Sequence, residues 1–224
     1  MNKLFTTISS LAVACATSFA QAQTQPAAAP AGAKSIDTKV AMCIGCHGIP
    51  GYQASFPEVH KVPMISGQNA KYIAAALNAY KTGERKHPTM RGIAESLNEQ
   101  DINDISAYYE RHGKEEGKQL ADKPSREPSP QVAALLQKAA CASCHGANLS
   151  KPIDPSYPKI AGQHADYMYV ALKAYKDQRA NVGRSNGVMG AIAKQFSYAE
   201  RKALSNYVGS LDGELKTKPE NKFR

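Results

Sequence analysis

The feature that most constrains this chain of 224 residues is a signature, Cys-x-x-Cys-His-Gly, that occurs twice. The first copy lies in "CIGCHG" and the second in "CASCHG", 98 residues further on. The copies consist of Cys43, Cys46 and His47 and of Cys141, Cys144 and His145. At the end of a helix, such spacing places two thiols about one turn apart on one side, with an imidazole beside them. The chain therefore presents the same three-group site twice.

This arrangement indicates a c-type haem at each motif, because two cysteines can form thioethers with the porphyrin while the histidine ligates the iron. Four cysteines could instead form a zinc site, but the two halves would then share one metal. They could also form disulfides or a thioredoxin-like redox pair, although the βαβ context of that pair is missing. Two copies in one chain favour two covalently bound haem c groups.

The repeat extends well beyond the motifs. The segment "PMISGQNAKYIAAALNAYK" matches "PKIAGQHADYMYVALKAYK" at an offset of 95 residues, and "MRGIAESLNEQDINDISAYY" matches "MGAIAKQFSYAERKALSNYV" at an offset of 99. Because insertions between these segments are small, the chain reads as a duplicated domain. We predict domains at residues 35–113 and 129–213, with a linker at 114–128 and a solvated, charged tail at 214–224.

Each half is predicted to be helical, so we expect an all-α fold. Ser129 is a suitable N-cap before Pro130, and one helix is expected from there through the second motif. Ser197 and Glu200 form a capping-box pattern that repeats Asn98 and Asp101 of the first half. Apolar residues recur at helical spacing in the middle helices, at Ile73, Leu77 and Tyr80 and at Met168, Leu172 and Tyr175. No stretch shows a sustained two-residue alternation.

The first 22 residues are predicted to be a secretory signal peptide, with an uncharged apolar stretch that ends in Ala20-Gln21-Ala22. The alternatives to a cleaved signal peptide are a retained membrane anchor and a lipoprotein site at Cys15. Residues 23–34 are rich in Ala and Pro and are expected to be flexible. An exported protein resides in an oxidising compartment, and cleavage would leave no cysteine outside the two motifs.

The sixth iron ligand has four candidates in the first half, namely His60, Met64, His87 and Met90. A duplicated site should keep its ligand in both copies, and only Met90 falls opposite a residue of the same type, Met189. The two methionines follow their motif histidines by 43 and 44 residues. We therefore predict His/Met ligation twice, with His87 as the main rival in the first half. Such ligation raises the reduction potential and leaves little room for a substrate.

The tandem motifs, the Pro-x-[IL]-[AS]-Gly-Gln segments and the late methionines resemble the dihaem cytochrome c4 family, over residues 35 to 212. The resemblance implies two tandem class I cytochrome c domains in a periplasmic electron carrier that is soluble or loosely attached to the membrane. It implies transfer from a cytochrome bc complex to a haem-copper oxidase. It also implies that the carbonyl groups of Pro63 and Pro158 accept a hydrogen bond from the ligating histidines.

The formal net charge of +9 lies mostly in the second half. Residues 35–113 contain eight basic and eight acidic residues, and residues 129–213 contain ten and five. An exported chain without a basic-aromatic groove argues against nucleic-acid binding, so we expect either a surface for an acidic redox partner or a merely soluble basic face. The candidates for that surface are Lys151, Lys159, Arg179 and Arg184.

We therefore predict an electron carrier rather than an enzyme. One alternative is the electron-transfer subunit of a periplasmic dehydrogenase, such as a sulfide-oxidising flavocytochrome. The other is a dihaem enzyme, such as a peroxidase or a thiosulfate dehydrogenase, which would need an open position on one iron.

Overall fold

The computed structural model describes residues 34–115 and 119–220, which form one compact helical unit. The predicted signal peptide, Cys15 and nearly all of the Ala/Pro-rich segment lie outside the described residues. None of the helices in residues 34–115 and 119–220 combines the length and the hydrophobicity that a membrane span needs.

The first half contains four helices and a short hairpin. Its elements are α1 (Ile36–His47), β1 (Gln53–Ala54), β2 (His60–Lys61), α2 (Ala70–Thr82), α3 (Pro88–Glu95) and α4 (Glu99–His112). The strands pair antiparallel, with Gln53 opposite Lys61. Both α2 and α4 end at a glycine, Gly83 and Gly113, and Gly83 adopts the left-handed conformation that glycine tolerates best.

The second half contains five helices. They are α5 (Pro130–Lys138), α6 (Ala142–His145), α7 (Ala165–Asp177), α8 (Gly187–Lys194) and α9 (Tyr198–Gly209). The single helix predicted from Ser129 through the second motif is instead divided into α5 and α6. Ala140, between them, has a φ of 48°, which a continuous right-handed helix does not allow. The all-α prediction is confirmed, with the two-residue strands as a minor addition.

The two halves pack their helices in the same pattern, as a duplicated domain should. In the first half α4 packs against α1 and α2, and α3 packs against α2. In the second half α9 packs against α5 and α7, and α8 packs against α7. Both predicted capping boxes are confirmed, at Asn98 with Asp101 and at Ser197 with Glu200. These caps satisfy the free N–H groups that begin the last helix of each half.

Each half has its own apolar core. The first is built around Val40, Ile102, Ile105 and Tyr109 and the second around Ala161, Phe196, Leu204 and Val208. The predicted apolar residues of α2 are buried, whereas those of α7 are only partly buried, and Ala171 and Ala174 take the buried positions there. Residues of both sets face the central cavity described below.

Polar contacts join the halves. The hairpin loop of the first half reaches the second half, where Glu58 forms ion pairs with Lys173 of α7 and with Arg179, just beyond the end of that helix. Lys61 of β2 also lies near Asp166, with its main-chain N–H 3.0 Å from the carboxylate. The loop from His47 to Pro63 is three residues longer than that from His145 to Pro158, and the longer loop makes this reach possible.

Part of the segment predicted to be a solvated tail is instead packed on the first half. Leu215 is 4% exposed, and Lys216 pairs with Ser66 through a main-chain hydrogen bond of 3.0 Å. Further on, Glu220 accepts a hydrogen bond from Tyr108 and lies beside His112. The prediction missed this because a short charged segment with one leucine has no hydrophobic periodicity that would indicate burial.

Candidate functional site

The two motifs face one cavity of about 580 Å³ that both halves line. The first motif occupies the last turns of α1, and the second extends from Cys141 into α6. All six cysteine and histidine side chains of the motifs line the cavity, and the four thiols are free. The fold therefore brings both predicted three-group sites to a common apolar space.

Each motif histidine is held by one main-chain carbonyl group. The Nδ1–H of His47 donates to the Pro63 oxygen at 2.8 Å, and the Nδ1–H of His145 donates to the Pro158 oxygen at 2.9 Å. These are the contacts that the family resemblance implies for the two prolines. A proton fixed on Nδ1 leaves the Nε2 lone pair of each imidazole for a metal.

Burial lowers the pKa of both histidines, so that the neutral, ligating form is favoured. For His47 the hydrogen bond to Pro63 opposes this shift and the nearby Arg85 guanidinium adds to it. For His145 the bond to Pro158 opposes the effect of burial in the same way. The lowered pKa favours the neutral ring, which is the form that can donate a lone pair to a metal.

The predicted sixth ligands, Met90 and Met189, also line the cavity. Each lies in the first turn of a short helix, α3 or α8, whose N-cap side chain binds the methionine N–H. The acceptor is Nδ1 of His87 for Met90, at 3.4 Å, and Oδ1 of Asn186 for Met189, at 2.9 Å. The two methionines therefore occupy equivalent places in the two halves.

The rival ligands of the first half, His60, Met64 and His87, also line the cavity. Because Nδ1 of His87 accepts from the Met90 N–H, the neutral ring carries its proton on Nε2. Burial, followed by repulsion from His60, lowers the pKa of His87 to about 4, so this neutral form prevails. His60 donates its Nδ1–H to the Lys61 oxygen at 2.8 Å, and the main chain of Met64 binds Gln163. His87 thus serves as a helix cap, the role of Asn186 in the second half.

The first thiol of each motif is a poor candidate for thiolate chemistry. Burial raises the pKa of Cys43 to about 11, and burial also raises the pKa of Cys141. A reactive or zinc-binding cysteine needs a lowered pKa. Among the described residues no group of three or more His, Cys, Asp or Glu side chains could hold a metal ion, so the zinc alternative has no ligand cluster there.

The residues around the cavity fit two haem c groups. Each half supplies two thiols for thioether bonds, one imidazole with a free Nε2 and one thioether sulfur, and apolar side chains form most of the remaining wall. This donor set matches the Cys-x-x-Cys-His and Met pattern of c-type cytochromes.

Two buried contacts of the site were not predicted from sequence. Arg85 and Arg184 line the cavity, each surrounded by tyrosines. Gln68 and Gln163 bind the main chain of the opposite half. The signal for both was present in the repeat, because Gln68 falls opposite Gln163 and Arg85 falls in the segment opposite Arg184.

The four basic residues considered for partner docking are engaged within the molecule. Lys159 is buried against Glu214, Arg179 pairs with Glu58, and Arg184 lines the cavity. Lys151 forms an exposed ion pair with Asp122. The structure therefore does not gather these residues into one free docking surface.

Comparison with known proteins identifies the family. The cytochrome c family model matches residues 29–111 and again residues 115–212. The cytochrome c4 of Thiocapsa roseopersicina is 31% identical over 178 residues, which cover 76% of this chain and 87% of that protein. A thiosulfate dehydrogenase electron acceptor of Thiomonas intermedia is 33% identical over 82% of this chain and 84% of that protein.

The fold is shared with a solved relative. The crystal structure of reduced cytochrome c4 from Pseudomonas stutzeri superposes with a TM-score of 0.58 at 25% identity, over 79% of this chain and 97% of that chain. The repeated motifs, the shared cavity and these relatives agree. The chain belongs to the cytochrome c family and, within it, to the dihaem cytochrome c4 proteins, which carry two covalently bound haem c groups.

Proposed function

We propose that the protein is an electron carrier without substrate chemistry, in which each half, residues 35–113 and 129–213, holds one haem iron between a histidine and a methionine. The observation that carries the proposal is the repeated donor set around the cavity, His47 with Met90 and His145 with Met189. When bound, each haem supplies an iron that alternates between the ferric and ferrous states. Ligands on both sides leave no position for a substrate.

The chain's own residues prepare the site for this role. Pro63 and Pro158 orient the two imidazoles through hydrogen bonds, and burial lowers their pKa and so favours the neutral rings. A thioether ligand is soft and stabilises the ferrous state, and the apolar cavity wall excludes water. Together these features favour a high reduction potential and little reorganisation on electron transfer.

We propose that the protein acts in the periplasm, after export, between a cytochrome bc complex and a haem-copper oxidase, with peripheral attachment to the membrane as a further possibility. The similarity to cytochromes c4 supports this role. A second role, as the electron acceptor of a thiosulfate dehydrogenase, is favoured by the relative of that name, which is 33% identical. In both roles electrons pass through the protein and no substrate is converted.

A redox titration of the mature, haem-loaded protein, with spectra covering the methionine-to-iron charge-transfer band, tests the proposal. We expect two haem centres, a band from each ferric haem, and no binding of carbon monoxide by the native ferrous protein. Carbon monoxide binding at one haem would favour a dihaem enzyme and contradict the proposed role.

The partner is tested by stopped-flow mixing of the oxidised protein with reduced bc complex and, separately, with thiosulfate dehydrogenase and thiosulfate. Fast reduction by the first alone supports the respiratory role, and fast reduction by the second alone supports the acceptor role. Reduction by neither, in a preparation with both bands intact, contradicts both. A flavoprotein that co-purifies and reduces the protein would favour the flavocytochrome alternative.

A further inference from the structure

The two halves meet at a pair of arginines. Arg85 and Arg184 form an isolated antiparallel bridge, and next to it the Lys86 N–H donates to the Gly183 carbonyl oxygen at 2.9 Å. Each arginine lies just before the short helix that carries the proposed methionine ligand of its half. The main chain therefore fixes the two arginines side by side between the two haem sites.

One tyrosine hydroxyl group accepts from both guanidinium groups. Arg85 donates from Nη2 to the Tyr167 hydroxyl oxygen at 2.6 Å, and Arg184 donates from Nη2 to the same oxygen at 3.2 Å. Arg85 also donates from Nη1 to Tyr72 at 3.4 Å. The first-half arginine thus depends on a residue of the second half, and the two side chains form one cluster.

The cluster has two positive charges and no carboxylate. Among the described residues neither arginine forms an ion pair with an acidic side chain, and nearby tyrosines raise the pKa of both guanidinium groups against the effect of burial. Arg85 Nε is buried without a hydrogen-bond partner. Both arginines are half-buried. Adjacent cations partly removed from water are costly unless an anion compensates them, so the cluster is suited to bind one.

We propose that Arg85 and Arg184, joined through the Tyr167 hydroxyl group, form a single carboxylate-binding site that takes a propionate from each of the two haems. The cluster lines the same cavity as both Cys-x-x-Cys-His motifs, and each haem c carries two carboxylates. The inference rests on the proposed attachment of one haem at each motif. Because the site is shared, the charge of either arginine acts on both haems.

Spectroelectrochemical titration of the loaded Arg85→Gln and Arg184→Gln variants tests this. Reduction adds negative charge to a haem, so a lost neighbouring cation favours the oxidised state. We expect either substitution to lower the equilibrium constant for reduction of both haems about tenfold, equivalent to about 59 mV for a one-electron couple. Arg111→Gln, which removes an exposed charge from the end of α4, is the matched control and should leave both values within about twofold.

A shift confined to the haem of the substituted half would overturn the shared site, and shifts no larger than those of Arg111→Gln would overturn the carboxylate site altogether. Arg85→Lys separates charge from structure, because it keeps the cation and should retain both potentials within about threefold in that constant. A loss in Arg85→Lys equal to that in Arg85→Gln would contradict the proposal.

The unaltered protein provides a test that needs no variant. Replacing chloride by inorganic phosphate at constant ionic strength should leave both potentials unchanged if propionates fill the site, and a phosphate-dependent change would show that a solution anion fills it instead. Haem content and the methionine charge-transfer band, measured on every sample, report the proposed ligation separately. Absence of those bands would refute the ligation, whereas their presence with unshifted potentials would refute only the carboxylate site.

Discussion

The side-chain amide of Gln163, in the second half, binds both main-chain polar groups of Met64, in the first half. Its Nε2 donates to the Met64 carbonyl oxygen at 2.9 Å, and its Oε1 accepts from the Met64 N–H at 3.0 Å. Gln68 binds the main chain of Lys159 in the same way, at 3.0 Å for both contacts. The duplicated glutamines thus exchange equivalent contacts, and each half completes the hydrogen bonding of the other.

Gln163→Leu should lower the free energy of unfolding by about 2–4 kcal/mol, because it leaves the N–H and the carbonyl group of Met64 without partners. Denaturant unfolding of the loaded protein, followed by circular dichroism, measures this. Gln137→Leu, at an exposed position of α5, is the control and should change stability by less than about 0.5 kcal/mol. Equal stability of the two variants would show that the exchange contributes little.

His87→Asn should keep the methionine charge-transfer band of the first haem, because asparagine can cap α3 as Asn186 caps α8. His87→Ala should also keep the band but lose about 1 kcal/mol of stability with the cap. Met90→Ala should abolish the band. A first haem that lacks this band in the unaltered protein, and whose spectrum changes in His87→Asn but not in Met90→Ala, would identify His87 as the ligand instead.

Acid stability of the first half should depend on Lys39, whose Nζ lies 2.9 Å from Asp101 and 2.6 Å from Asp104. The hydrogen bond from Lys39 is the main cause that lowers the pKa of each carboxyl group below its usual value. A lowered carboxyl pKa contributes stability that is complete above the unfolded pKa of about 4 and is lost as the pH falls through the folded value.

Lys39→Met should therefore lower the melting temperature clearly at pH 6, and the difference from the unaltered protein should shrink towards pH 3. Melting curves recorded across that range test this. In the control Lys71→Met, the lost partner is exposed Asp154, and we expect a small difference that varies little with pH. A constant difference for Lys39→Met at all pH values would exclude the proposed linkage.

Gly67→Ala should be more destabilising than Gly83→Ala, although both glycines have a left-handed φ, of 85° and 80°. A Cβ atom at Gly67 would lie 2.6 Å from the Glu214 carbonyl oxygen, whereas one at Gly83 would meet nothing within 4 Å. Both substitutions carry about 1–2 kcal/mol of backbone strain, and only the first also displaces the chain near Leu215. The free energies of unfolding of the two variants, measured by thermal unfolding, should differ by at least about 1 kcal/mol. Similar values would mean that the chain around Glu214 moves aside at little energetic cost.

The sequence predicted those features that depend on local spacing. The two motifs, the capping boxes at Asn98 and Ser197, and the repeat could be read directly because each follows a short rule about neighbouring residues. The internal repeat also pointed to Met90 over His87 as a ligand, which remains a prediction.

Features that depend on contacts between distant segments were missed. The meeting of Arg85 with Arg184 requires the two halves to pack face to face, which no spacing within one half encodes. The position of Leu215 depends likewise on a contact between distant segments, since the next residue, Lys216, binds the main chain of Ser66. The break at Ala140 was missed because alanine has high helix propensity, and the tertiary fold overrides that preference.

The last described residues of the chain complete the surface of its first half, since Lys216 binds the main chain of Ser66 and Glu220 binds Tyr108 and His112 there. A gene cut between the two repeats would therefore yield an amino-terminal fragment without these contacts, even though each repeat has a core of its own. The two modules are alike, but the closing segment ties the end of the second to the surface of the first.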